Sequence, residues 1–192
     1  MKYTLWFTGR PGAGKTTLAG ALYKSLEQPT MNFKKRDVFL LEGDELREGL
    51  NKGLGFSIGD RTRNLTNAAH VCRMFNTAGL NVFATFVTPT NEMRDIVREV
   101  VGEGFRLVYV DSPLEVCIKR DPKGMYADAK AGKRPYFTGI DPDAPFEIPG
   151  KPDFAIKTFV QVGNPHYSQA EYLDAPLEEC VKKLSDYWMG LN

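Results

Sequence analysis

Gly9-Arg10-Pro11-Gly12-Ala13-Gly14-Lys15-Thr16 fulfils the pattern G-x-x-x-x-G-K-[ST], residue types and spacing suited to gripping a polyphosphate. The glycines let the backbone curl until its N–H groups converge on phosphate oxygens, and a helix starting at the end of the loop adds partial positive charge at the same point. Lys15 would neutralise the β and γ oxygens of ATP, and Thr16 would offer its hydroxyl to Mg²⁺. Gly9, Gly12, Ala13, Gly14 and Thr17 complete the expected nucleotide cradle. A second cluster, Leu41-Glu42-Gly43-Asp44-Glu45-Leu46-Arg47, carries acidic groups with an arginine about one helical turn on. Asp44 there would accept the proton of an attacking hydroxyl, help to hold Mg²⁺, or simply cap a helix. Arg47 would hold an acidic acceptor.

These groups need a scaffold that brings them together. Short apolar runs alternate with longer stretches of helical period: Tyr3 to Thr8, Asp37 to Leu41, Asn81 to Val87 and Phe105 to Asp111 read as strands. Helices are expected over Thr16 to Leu26, Arg61 to Thr77, Met93 to Val101 and Leu177 to Trp188. In the second of these the apolar stripe runs Leu65, Ala68, Ala69, Cys72 and Phe75; Met74 and Phe75 both read as core, and His70 as an ordinary helix residue. Alternating strands and helices predict an α/β fold, a three-layer sandwich of P-loop type with a parallel sheet covered on both faces. In such sheets ligands sit outside the carboxyl ends of the strands, so the Asp44 cluster should face the phosphate loop. The stretch 121–152, rich in Pro, Gly, Asp and Lys, is expected to be a lid, since long irregular segments inside compact domains are mostly functional.

The chain has 192 residues, the size of a single domain, so 1–192 is read as one kinase-type unit. Its net charge of +1 argues against binding nucleic acid or anionic membrane by bulk charge. No apolar run is long enough for a membrane span, and three scattered cysteines suit a reduced, cytoplasmic setting. An N-K-x-D-type guanine signature is absent, and the length leaves little room for effector domains, which favours a small-molecule kinase.

Further along, Gly53-Leu54-Gly55-Phe56-Ser57, Asp60-Arg61 with Asn64, Phe86-Val87-Thr88-Pro89, Arg120-Asp121-Pro122-Lys123-Gly124-Met125-Tyr126 and Phe137-Thr138-Gly139-Ile140-Asp141 occur in that order. The series resembles the adenylylsulfate (APS) kinase family, P-loop kinases that phosphorylate the 3′-hydroxyl of APS to give PAPS. The resemblance covers roughly residues 4–158. It implies that Lys15 and Thr16 bind ATP phosphates and Mg²⁺, that Asp44 orients or deprotonates the acceptor hydroxyl and shares the metal, and that Thr88 belongs to the catalytic set. It implies also that Arg47, Arg61 and Asn64 contact the acceptor nucleotide, that Phe56 and Phe137 sandwich its base, and that Arg120 and Lys123 lie near ATP. A homodimer is implied as well. Phe56 and Phe137 both lie in Gly-rich, polar stretches where packing into the core is not expected.

The chain departs from the family pattern at several points. Thr66 and Asn67 stand where two arginines are usual, Thr88-Pro89-Thr90 replaces Ser-Pro-Tyr, Pro135 stands where a lysine is expected, and Glu42-Gly43-Asp44 replaces Asp-Gly-Asp. Each charge-assisted contact is worth about 1.5–3 kcal/mol, so Lys133, Arg134 or Arg63 would have to compensate for the missing cations. Alternatively, the acceptor has changed to another activated nucleotide, such as a nucleoside diphosphoramidate. A catalytically weak nucleotide-binding regulator is the third reading, and the presence of Lys15, Thr16, Asp44, Arg47 and Arg120 together argues against it. The 159–174 tail is longer than the family connection, and His166 in it reads as a surface residue.

Overall fold

The computed structural model describes residues 1–27, 37–162 and 171–191. Strands β1 (Thr4–Thr8), β2 (Val38–Glu42), β3 (Asn81–Thr85), β4 (Phe105–Asp111) and β5 (Phe154–Lys157) form a sheet in the order β2-β3-β1-β4-β5. Every pairing in it is parallel. All residues of β1 and β3 are buried, which explains why their sequences are continuous apolar runs rather than alternating ones. Alternate residues still go to opposite faces. Leu5 and Phe7 pack with Leu18 and Leu22 of helix α1 (Lys15–Ser25) and with Leu184 and Trp188 of α7 (Leu177–Gly190). On the other face, Trp6 joins Leu65, Ala68, Ala69 and Cys72 of α3 (Ile58–Thr77) and Met93 and Val97 of α4 (Asn91–Val101).

The parallel register delivers the carboxyl ends of all five strands to one edge. The phosphate loop leaves β1 there, and short helix α2 (Gly43–Glu48) leaves β2. Helices α5 (Leu114–Arg120) and α6 (Met125–Lys130) follow β4, and a small antiparallel pair, β6 (Phe159–Val162) with β7 (Glu171–Asp174), follows β5.

Differences from the sequence expectations have local causes. Helix α3 starts at Ile58 rather than Arg61 because the Ser57 hydroxyl accepts from the Asp60 N–H at 3.2 Å and donates to the Asp60 carboxylate at 2.9 Å, a capping arrangement that recruits an extra turn. Met74 is 71% exposed, one position off the buried stripe, so the core reading holds for partly buried Phe75, which stacks on Phe39 at 4.3 Å, and not for its neighbour. His70 is exposed. Thr90 replaces the expected aromatic with an N-cap, its hydroxyl accepting from the Met93 N–H at the start of α4. His166 and the middle of the 159–174 segment lie outside the described residues.

Candidate active site

The phosphate loop turns on glycines at φ 74° (Gly12) and 97° (Gly14), left-handed values that a side chain would strain. The loop is held from behind. Tyr126 Oη donates to the Pro11 carbonyl at 2.9 Å, and the Thr158 hydroxyl, just past β5, donates to Ala13 O at 3.0 Å. Arg120, at the end of α5, donates to the Thr158 hydroxyl at 3.1 Å and to its carbonyl, and bridges Asp174 of β7 at 2.6 Å. Arg120 thus straps the loop, β5 and β7 together beside the nucleotide cleft. Lys15 bends under the loop, its Nζ donating to the carbonyls of Gly9 (2.9 Å) and Arg10 (2.8 Å). Loss of water around the ammonium pushes its pKa down to about 8, partly offset by the Asp44 charge.

Across the cleft, Asp44 in the first turn of α2 forms an exposed ion pair with Lys123 at 2.6 Å. The hydrogen bond to that carboxylate raises the Lys123 pKa. Arg47, one turn on, donates to the carbonyls of Leu54 (3.0 Å) and Gly55 (3.1 Å), and its guanidinium lies 4.5 Å over the Phe56 ring. Arg61 donates to Phe56 O at 2.9 Å and reaches Tyr136 O at 2.7 Å, tying the loop around Phe56 to the 121–152 segment. Burial lowers the pKa of both arginines, the Arg47 charge adding to the effect on Arg61.

Thr88 sits at φ 43°, a costly conformation for a β-branched residue, with its hydroxyl accepting from Trp6 Nε1 at 2.8 Å. Asn64, buried on α3, accepts through Oδ1 from Asn51 Nδ2 at 2.9 Å. Phe56 is 48% exposed. Phe137 is not in open polar surroundings: it is buried and packs edge-to-face on Tyr126, ring centres 5.0 Å apart. The flanking glycines and charges mark the turns around it and not its own environment.

All of this converges on one cavity of about 800 Å³, in the upper part of the range for ligand sites. Its wall carries Gly12, Gly14, Lys15, Thr16, Thr17, Arg120 and Lys123 on the loop side. Asp44, Arg47, Phe56, Arg61, Asn64, Thr88 and Phe137 line it on the side across from the loop. Gly9 and Ala13 lie behind the loop instead: a Cβ on Gly9 would meet Val110 O at 2.6 Å, and Ala13 is fully buried. Of the candidate compensating cations, Arg134 alone among the described residues lines the cavity. Thr158 and Asp174 also line it without a sequence signal of their own, since they follow a four-residue strand and end a short hairpin, and Leu177, legible only as the start of the closing helix, lines it too.

The donor set suits Mg²⁺. Thr16 and Asp44 face one cleft, and no cluster of three or more His, Cys, Asp or Glu that could form a protein cage for a metal occurs among the described residues. Mg²⁺ is usually held by one or two side chains together with substrate phosphates.

A G-x-x-x-x-G-K-T loop at the carboxyl edge of a parallel sheet, with a carboxylate and arginines on the far side of the same cleft, defines a P-loop kinase. A profile of the adenylylsulphate kinase family matches residues 1–157. The adenylyl-sulfate kinase of Clostridium acetobutylicum is 45% identical over 183 residues, spanning 95% of this chain and 81% of that protein. That of Shewanella amazonensis is 46% identical over 184 residues, with 95% and 82% covered. The structure of the Mycobacterium tuberculosis APS kinase CysC in complex with AMPPNP and APS is similar with a TM-score of 0.80 at 34% identity, covering 98% of each chain. The chain belongs to the adenylylsulphate kinase family.

Proposed function

We propose that this protein transfers the γ-phosphoryl group of ATP to the 3′-hydroxyl of adenosine 5′-phosphosulfate, releasing ADP and PAPS. The observation that carries the reading is that Lys15 and Thr16 share a single cavity with Asp44, Arg47, Arg61 and Asn64, phosphate grip facing acceptor grip. Phosphoryl transfer depends mainly on positioning and charge neutralisation, which this wall of cations supplies. Lys15 leaves its loop carbonyls to neutralise the γ-phosphate. Asp44 orients the 3′-hydroxyl and takes its proton as the new P–O bond forms, while the bond to the β-phosphate oxygen breaks and ADP leaves. Arg47, Arg61 and Asn64 hold the phosphosulfate, and Phe56 stacks on the base with Phe137 closing from the lid. The Thr88 hydroxyl, its oxygen already engaged by Trp6, keeps a proton to donate to the acceptor. Thr16 and Asp44 would hold Mg²⁺, which would neutralise phosphate charge during the transfer.

The chain acts as one kinase unit, with 121–152 as the lid that excludes water from the transferring group. Arg134 supplies positive charge that Thr66, Asn67 and Pro135 do not. The enzyme works in the cytoplasm as a homodimer; among the described residues no helix is long and apolar enough to cross a membrane. Lys15→Ala is the direct test. The variant should keep its thermal transition and lose at least about 10³-fold in kcat, the scale of removing a group that stabilises transferring charge. Full activity in that variant would remove the phosphate-loop assignment.

A further inference from the structure

Asn67 stands at a position where charge is missing, and its side chain is not idle. Its Nδ2 donates to Asn51 Oδ1 at 2.7 Å, and Asn51 Nδ2 donates on to Asn64, at 2.9 Å to Oδ1 and 3.3 Å to the backbone carbonyl. Asn51 is 2% exposed, on the loop after α2, where its own N–H donates to Leu46 O at 2.7 Å. Asn67 and Asn64 lie three residues apart on one face of α3.

The direction of this chain is set by the backbone. The Asn64 carbonyl can only accept, so Asn51 must turn its NH₂ group toward it, which leaves the Asn51 oxygen for a donor at position 67. With Asn51 donating to its oxygen, Asn64 turns its own NH₂ group to the cavity that it lines. A carboxamide can present either end to a ligand, and only one end complements an anion. We propose that Asn67 and Asn51 are positioning residues that lock the Asn64 amide as a hydrogen-bond donor to the anionic part of the acceptor. The proposal rests on the assignment of the acceptor subsite to the Arg47–Asn64 side of the cavity. It gives Asn67 a defined part at a place where the sequence shows only a lost cation.

The polarity of residue 67 is therefore the test. Lysine there donates and cannot accept; aspartate accepts and cannot donate. Facing a carboxylate in the Asn67→Asp variant, Asn51 either turns over, drawing the Asn64 nitrogen inward and its carbonyl to the cavity, or loses its hold on Asn64. In both cases the fixed donor is gone. Thr66→Asp places the same charge on the neighbouring residue, whose hydroxyl donates back to Thr62 O at 2.9 Å, and controls for simple repulsion. Steady-state kinetics should show Asn67→Asp raising the KM for APS at least about tenfold beyond Thr66→Asp, the scale of one charge-assisted hydrogen bond. The KM for ATP should stay within about twofold, and Asn67→Lys should keep the wild-type KM for APS or lower it. Equal shifts in Asn67→Asp and Thr66→Asp, or parallel shifts in both KM values, would overturn the proposal.

Side-chain amide NMR of the ¹⁵N-labelled protein without substrates reads the same polarity independently of the reaction. In the wild type the Asn51 NH₂ should be protected from exchange and the Asn64 NH₂ exchange fast. Protection of the Asn64 NH₂ would overturn the relay. If instead exchange follows the expected pattern while APS is not a substrate, the acceptor assignment fails and the relay stands.

Discussion

Lys15 shows how a residue legible from spacing acquires properties that spacing does not contain. The G-K-T triplet announces a phosphate-binding lysine, but its depressed pKa comes from burial under carbonyls of its own loop. The sign matters. With a folded pKa of about 8 against 10.5 unfolded, the charged lysine burdens the folded state below pH 8, and the burden lifts as pH rises from 8 towards 10.5. ATP needs the ammonium, so its affinity runs the other way. Its Kd should rise by up to about tenfold per pH unit above pH 8, while Lys15→Arg, charged throughout, stays flat from pH 7 to about 9.5. Calorimetric titration across that range checks it; a flat wild-type profile would show that Lys15 keeps its proton. Arg120 is the opposite case. Its motif suggests contact with ATP, yet its strongest partners, Thr158 and Asp174, lie 38 and 54 residues further along. No local pattern reveals such a strap.

Elements with long uniform patterns were legible and short ones were not. β1, β3 and β4 read as apolar runs because both faces of each are covered, and α3 by its stripe of Leu65, Ala68, Ala69 and Cys72. β5 has four residues with only Ile156 buried, and α5 and α6 have seven and six, too few for a period to show. How elements are tied together was equally invisible. Arg94, in the first turn of α4 and 3% exposed, donates to Asn91 Oδ1 (2.8 Å), Pro89 O (3.2 Å) and Glu147 O (2.6 Å). Its guanidinium and that of Arg10 both lie against Phe146, at 5.3 and 4.7 Å. Burial pulls its pKa down to about 10, so it stays charged at neutral pH. It therefore helps to pin the strained Thr88–Pro89 loop to Glu147 in the 121–152 segment. Arg94→Leu takes the charged donor from the Glu147 carbonyl and Asn91 Oδ1 and leaves Pro89 O with the Glu147 N–H at 2.9 Å, and it should cost about 2–4 kcal/mol. Scanning calorimetry should show that as a fall in Tm of roughly 5–15 °C; an unchanged Tm would mean the two segments hold their places without it.

At the scale of the whole molecule, a net charge of +1 conceals a cleft in which cations outnumber the carboxylates of Glu42, Asp44 and Asp174. Lys15, Arg47, Arg61, Arg120, Lys123 and Arg134 line one cavity, although composition shows cations and anions in balance. The parallel topology makes the difference, since it sends every strand's carboxyl end, and the loop that follows, to the same edge. Motif order in the sequence anticipated that meeting; the packing of Phe137 on Tyr126 within the 121–152 segment it did not. This cleft is expected to accept APS despite Thr66, Asn67 and Pro135. The most direct measurement is ADP release from Mg-ATP by the purified protein, with APS compared against adenosine and cytidine diphosphate derivatives, phosphoramidates included. Saturable turnover with APS is expected, with a kcat/KM at least about a hundredfold above that for any other acceptor, the discrimination expected of a site built around a specific hydrogen-bonded group. Rapid turnover of a phosphoramidate with APS inert would contradict it, and would make those three residues the marks of a different acceptor.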